Sequence, residues 1–102
     1  MQQNRQTLEF HVPGIDRPVE LQEDASVRYR QLVCWCLVQR YRYYVLCDAK
    51  ASDTEYDTIE SQVLSLEKLG NTNPYSPAVV VGSACREDYP RSVRSWFENT
   101  PV

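Results

Sequence analysis

Asp48-Ala49-Lys50-Ala51-Ser52-Asp53-Thr54-Glu55 is the stretch on which the fold of this chain turns. Ser52 with Glu55 three residues later is a capping box, in which the serine oxygen accepts from the backbone N–H of the first helical turn. Tyr56, Ile59, Val63, Leu66 and Leu69 then recur at the three-and-four spacing of an apolar helical stripe. Gly70 stands where a left-handed C′ residue stops a helix, so a helix is predicted over about 53–69. Upstream, Asp24 is a candidate N-cap. Tyr29, Leu32, Val33, Cys36, Leu37, Arg40 and Tyr44 repeat the stripe and predict a first helix over about 25–46. Arg28, Arg30 and Arg42 on its other sides read as a solvated face. Only a brief connection separates the two helices, which makes them an antiparallel helical hairpin.

Before the hairpin, Thr7-Leu8-Glu9-Phe10-His11-Val12 and Arg17-Pro18-Val19-Glu20-Leu21-Gln22 both alternate polar and apolar. With Pro13-Gly14-Ile15-Asp16 between them they predict a β-hairpin, which leans on a helix because two strands alone are marginal. His11 falls on the polar side and reads as a solvent-facing strand residue. Trp35 lies about 100° from Cys36 on the helix, off the main stripe, and is expected to pack on the β-hairpin. Asn71-Thr72-Asn73-Pro74-Tyr75-Ser76-Pro77 is loop chemistry, Ala78-Val79-Val80-Val81 reads as extended, and Gly82-Ser83 breaks it. Pro90 opens a last helix through about Phe97, with Val93, Trp96 and Phe97 facing the core. The expected fold is mainly α: an antiparallel helical hairpin with a small N-terminal β-hairpin and a short C-terminal helix. It is a single domain over 1–102, with an extension at 1–23, a helical core at 24–83 and a tail or helix at 84–102.

A chain of 102 residues, 42% hydrophobic and 25% charged, has the composition of one small globular domain and not of a large multistep enzyme. Its net charge of -3 argues against coating nucleic acid, and direct nucleic-acid binding is not expected. No apolar run approaches the roughly 20 residues a membrane helix needs, and no signal peptide leads the chain. A cytoplasmic location follows as the expectation. Four cysteines, Cys34, Cys36, Cys47 and Cys85, could suggest a metal. But Cys34 and Cys36 point about 200° apart on a helix, and His11 is remote in sequence. The cysteines read as buried or partly buried free thiols of a reducing compartment.

The hairpin brings the end of the first helix beside the start of the second. Tyr43 and Tyr44 lie at one place; Asp53, Tyr56 and Asp57, at i, i+3 and i+4, lie at the other. Aromatic faces attract flat cationic rings, and carboxylates accept hydrogen bonds from ribose hydroxyls and amide N–H groups. A pyridinium ring bearing a carboxamide and a ribose meets both demands. Residue types alone equally allow tyrosines that finish a core with the hydroxyl in water and acids that favour a helix N-terminus.

Tyr41-Arg42-Tyr43-Tyr44-Val45-Leu46 followed by Ser52-Asp53-Thr54-Glu55-Tyr56-Asp57 resembles the N-terminal Ia domain of bacterial NAD⁺-dependent DNA ligases. That pattern is Y-x-Y-[HY]-V, a short loop, then [SP]-D-x-E-Y-D. Ser76-Pro77-Ala78-Val79-Val80-Val81-Gly82 is similar to the family's S-P-T-x-x-V-G segment, and the resemblance spans about residues 28–83. It implies a fold that holds the nicotinamide mononucleotide half of NAD, with Tyr43, Tyr44, Asp53, Tyr56 and Asp57 as the cofactor-binding residues. Tyr44 takes a position that is His in some members, and no proline follows Asp48, since Ala49 and Lys50 stand there.

The family's nucleophilic lysine, in K-x-D-G, has no counterpart. Lys50 precedes Ala51-Ser52 and Lys68 precedes Leu69-Gly70. The expectation is therefore a non-enzymatic, phage-type, free-standing Ia-like protein with no catalytic and no metal-ligating residues. It would bind nicotinamide mononucleotide or NAD weakly and act in trans with a nucleotidyltransferase partner. The alternative is an interaction or inhibitor module that reuses the fold to hold a protein partner without a nucleotide.

Overall fold

A computed structural model describes residues 6–12 and 17–98. The order is β1 (Thr7–Leu8), β2 (Val19–Glu20), α1 (Ala25–Arg40), a π-helical turn (Tyr41–Val45), α2 (Asp53–Glu67), a 3₁₀ turn (Arg86–Asp88) and α3 (Arg91–Glu98). The fold is mainly helical with a small antiparallel sheet and a short C-terminal helix, as the sequence predicts.

The caps account for the helix starts. The Asp24 carboxylate accepts from the backbone N–H groups of Ser26 and Val27, and Ser52 Oγ accepts from Glu55 N–H. α2 ends at Glu67, short of the predicted 69. Gly70, at φ 106°, closes the last turn with two bonds: its N–H donates to Glu67 O and Asn71 N–H to Leu66 O. This is a Schellman ending with glycine at C′. Leu69 lies in that tightened turn and is 76% exposed, so it leaves the predicted stripe, while Ile59 and Val63 hold it.

α1 is central. Trp35, Cys36, Leu37, Val38 and Gln39 are consecutive and all buried, so the second half of the helix is covered on every side, while Ala25, Ser26 and Arg30 of the first half are exposed. α2 covers one side and runs antiparallel to α1: Tyr29 OH reaches Glu67, whereas Arg40 reaches Tyr56. The β-hairpin covers another, where Trp35 Nε1 donates to Glu9 O at 2.9 Å among Leu8, Phe10, Val12 and Leu21. Trp35 thus packs where the sequence places it. α3 closes a third side with Val93 buried, Trp96 edge-on to Phe10, and Phe97 stacked on Tyr41.

Several expectations are corrected. The predicted helix over 25–46 is α-helical only to Arg40; Leu46 N–H then donates to Tyr41 O, five residues back, and the chain widens into a π turn. Tyr41 is held between Phe97 and Tyr89, and Asp48 N–H caps Arg42 O, so the extra residue is absorbed there. Among the described residues strand pairing covers Thr7↔Glu20 and Leu8↔Val19, shorter than the alternation predicts. His11 is half-buried at φ 57°, outside any strand, and its carbonyl accepts from Arg42 Nη1. The turn Pro13-Gly14-Ile15-Asp16 lies outside the described residues. Arg42 is not solvated: its side chain is 11% exposed, pairs with Asp48 at 2.7 Å and lies over Phe97. Ala78-Val79-Val80-Val81 is a turn, because Ser76 O accepts from both Val79 and Val80 N–H groups.

Candidate functional site

The hairpin tip contains a cavity of about 400 Å³ lined by Gln39, Arg40, Tyr43, Tyr44, Ala49, Ala51, Ser52, Asp53, Tyr56 and Asp57. All five residues named from the sequence are among them. Its size is at the small end of ligand pockets in general.

Each wall has a local cause. The π turn carries Tyr43 and Tyr44, whose rings meet edge to face at 4.8 Å. In an uninterrupted α-helix Tyr44 would follow Arg40 on the buried stripe; on the wider turn it is 42% exposed, with Tyr43 59% exposed. The Tyr44 ring lies against Gly82, where an added Cβ would come 2.0 Å from Tyr44 Cε2. This is the close approach for which residue 82 must lack a side chain. The first turn of α2 supplies Asp53 and Asp57, both exposed, and Tyr56 between them.

Tyr56 is the rigid wall. Its ring stacks on Trp35 at 6.1 Å and its hydroxyl accepts from Arg40 Nε at 2.7 Å. Burial raises its pKa above the ordinary phenol value, nearby Cys36 adds to this, and Arg40 opposes it. Tyr56 is therefore a neutral phenol at physiological pH, suited to stacking and hydrogen bonding and not to proton abstraction.

Sequence reasoning missed Gln39 and Arg40. Arg40 Nη1 donates to Val80 O at 2.7 Å and Nη2 to Pro77 O at 3.1 Å, with Glu60 at 3.7 Å. One side chain thus ties α1 to Tyr56 and to the Ser76–Gly82 segment. The loop is pinned again where Ser76 Oγ donates to Glu67, which also accepts from Tyr29 OH. The signal was present in the sequence: a charge on an otherwise apolar stripe requires partners if it is buried. Gln39 is 5% exposed; its Nε2 donates to Phe10 O, and its Oε1 has no hydrogen-bond partner among the described residues.

Neither lysine is among the lining residues, although Lys50 lies between Ala49 and Ala51, which are. Lys50 Nζ pairs with Asp48 at 3.4 Å, and Lys68 caps the far end of α2. The cysteines are all free. Burial pushes the Cys34 thiol up to about 11 and the Cys36 thiol up to about 12, which keeps both protonated. Cys34 and Cys36 are partly buried and buried as expected, whereas Cys47 and Cys85 are exposed, which corrects the expectation of buried or partly buried thiols. Among the described residues no three His, Cys, Asp or Glu side chains are gathered for a metal ion, and no helix is long and apolar enough to cross a membrane.

Comparison of the chain with protein-family models, with curated proteins and with solved structures finds no match.

Proposed function

We propose that this chain is a nicotinamide mononucleotide-binding domain of the DNA ligase Ia type, acting in trans with a separate nucleotidyltransferase. The observation that carries the reading is the convergence of Tyr43, Tyr44, Asp53, Tyr56 and Asp57 on one cavity. The aromatic walls suit a flat pyridinium ring, and the carboxylates suit its ribose hydroxyls and amide. The similarity of Ser76–Gly82 to the ligase segment gains physical sense here, because Arg40 and Tyr44 tie that segment to the cavity. The open tip encloses only part of a nucleotide, so affinity falls in the range of about micromolar to millimolar. Isothermal titration with nicotinamide mononucleotide tests this. Asp57→Ala weakens binding and leaves the fold intact, since Asp57 is exposed. No heat at millimolar ligand refutes it.

Under this reading the chain supplies no nucleotidyl-transfer lysine. Incubation with labelled NAD followed by denaturing mass analysis gives no AMP adduct; a stoichiometric adduct on Lys50 or Lys68 contradicts the accessory role.

A second reading, an interaction module, draws on Tyr43, Val79 and Val81, which are 59%, 67% and 86% exposed. Val81 adjoins Gly82, against which Tyr44 packs, so apolar surface flanks the cavity on the loop side. Under this reading the Tyr43→Ser and Val81→Ser pair abolishes partner binding while nucleotide has no effect on it.

A further inference from the structure

A groove of about 420 Å³ lies along α1, and its lining shares no residue with the cavity at the hairpin tip. Val27, Arg30, Gln31 and Cys34 form its floor at i, i+3, i+4 and i+7, one helical face about 10 Å long. Phe10 and Val19 from the N-terminal segment and Trp96 from α3 supply the rest. Three separate parts of the chain thus build one concave surface of a size that takes a small ligand.

The groove is graded in polarity. Toward the covered half of α1, Phe10 and Trp96 meet edge to face at 6.2 Å, and the half-buried Cys34 thiol, raised to about 11 by its burial, stays protonated. One helical turn earlier, toward the open half of α1, Arg30 is exposed. Among the described residues that line the groove, Arg30 alone is charged. The Gln31 amide is engaged by backbone, its Oε1 accepting from Gln22 N–H at 2.8 Å and its Nε2 donating to Glu20 O at 3.1 Å. Asp24 is within electrostatic range of Arg30, with its own carboxylate bonded to Ser26 and Val27.

We infer that this groove binds a medium-chain aliphatic carboxylate, with its head on Arg30 and its chain against Cys34, Phe10 and Trp96. Charge complementarity sets the head: one guanidinium fork matches one carboxylate bidentately. The apolar end sets the tail, because each methylene taken out of water adds affinity. An open groove and a ligand of few atoms give a dissociation constant on the order of a millimolar. This site is independent of the nicotinamide reading, and either stands if the other fails.

The test is titration of the full chain with octanoate, followed by NMR of its two tryptophan indole N–H signals. Trp96 lines the groove, whereas Trp35 is fully buried with its Nε1 on Glu9 O. The Trp96 signal shifts saturably and the Trp35 signal stays. Octanoate binds about fourfold tighter than hexanoate, the value for half-burial of two methylenes. It also binds about threefold or more tighter than octylammonium, and Arg30→Gln, at an exposed position, closes that gap without changing the melt. A Trp96 signal unmoved at millimolar octanoate overturns the inference, as does equal affinity for hexanoate and octanoate. Octylammonium binding as tightly as octanoate, or a gap that survives in Arg30→Gln, overturns the assignment of the carboxylate to Arg30. A Trp96 signal that moves with protein concentration alone shows that a second copy of the chain covers the groove, and also overturns it.

Discussion

Replacing Arg40 with Met removes a guanidinium while keeping the length and most of the packing of the side chain. The guanidinium makes hydrogen bonds of 2.7, 2.7 and 3.1 Å to Tyr56 OH, Val80 O and Pro77 O, from a side chain only 12% exposed. A hydrogen bond involving a charged group is worth about 1.5–3 kcal/mol net. Three such bonds do not add fully, because water reaches the cavity side once the loop loosens and because burying the charge had its own cost. The loss is therefore about 3 kcal/mol, a large fraction of the roughly 5–15 kcal/mol that holds a domain together. For a domain of this size that corresponds to a fall in Tm of about 10–20 °C. Thermal unfolding followed by circular dichroism measures it. Amide resonances of the Ser76–Gly82 segment should shift in Arg40→Met even where the helices are unperturbed. A melting point within about 3 °C of the parent, with those resonances unmoved, refutes the view that Arg40 fastens the loop to the hairpin tip.

Gly82→Ala drives the Tyr44 ring aside, since the new Cβ would stand 2.0 Å from Cε2; the loss of one aromatic wall, about 1 kcal/mol, weakens nicotinamide mononucleotide roughly fivefold with little change in the melt. A titration indistinguishable from the parent shows that Tyr44 is not part of the site. Stability should also decline in alkali. Tyr29, raised to about 12, and Tyr56, Tyr41 and Tyr89, also raised, have an ordinary value of 10.0; Cys34 and Cys36 are raised to about 11 and about 12 from 9.0. The unfolded chain releases these protons first, so stability is full below about pH 9 and is lost as pH rises through the folded values. The urea midpoint in reducing buffer is lower at pH 10.5 than at pH 7.5; an equal or higher midpoint contradicts the burial of these groups.

What the sequence made legible was local. Asp24, Ser52 and Gly70 act through backbone groups within a few residues, and each caps the helix end its position implies. The site residues were legible for a related reason: a short connection between two striped helices forces Tyr43 and Tyr44 beside Asp53, Tyr56 and Asp57, whatever the rest of the chain does. What remained hidden depends on distant partners. Arg40 is satisfied by carbonyls 37 and 40 residues away, so its burial has no local signature beyond the anomaly of a charge on a stripe. Arg42 resembled a surface residue because its partners, His11 O and the Phe97 ring, lie on other elements. The π turn follows from the docking of Tyr41 between Phe97 and Tyr89, again a tertiary effect. Ala78-Val79-Val80-Val81 has strand composition, but the capture of Val80 O and Pro77 O by Arg40 and the Ser76 turn override that propensity.

The proposed function places nicotinamide mononucleotide in the cavity at the hairpin tip. Amide-detected NMR of the labelled chain during titration with nicotinamide mononucleotide tests it most directly. Saturable shifts confined to Tyr43, Tyr44, Asp53, Tyr56, Asp57 and the adjoining Gly82 are the result predicted. A spectrum unchanged at millimolar ligand, or shifts centred on a different groove beside Phe10, Cys34 and Trp96, contradicts it.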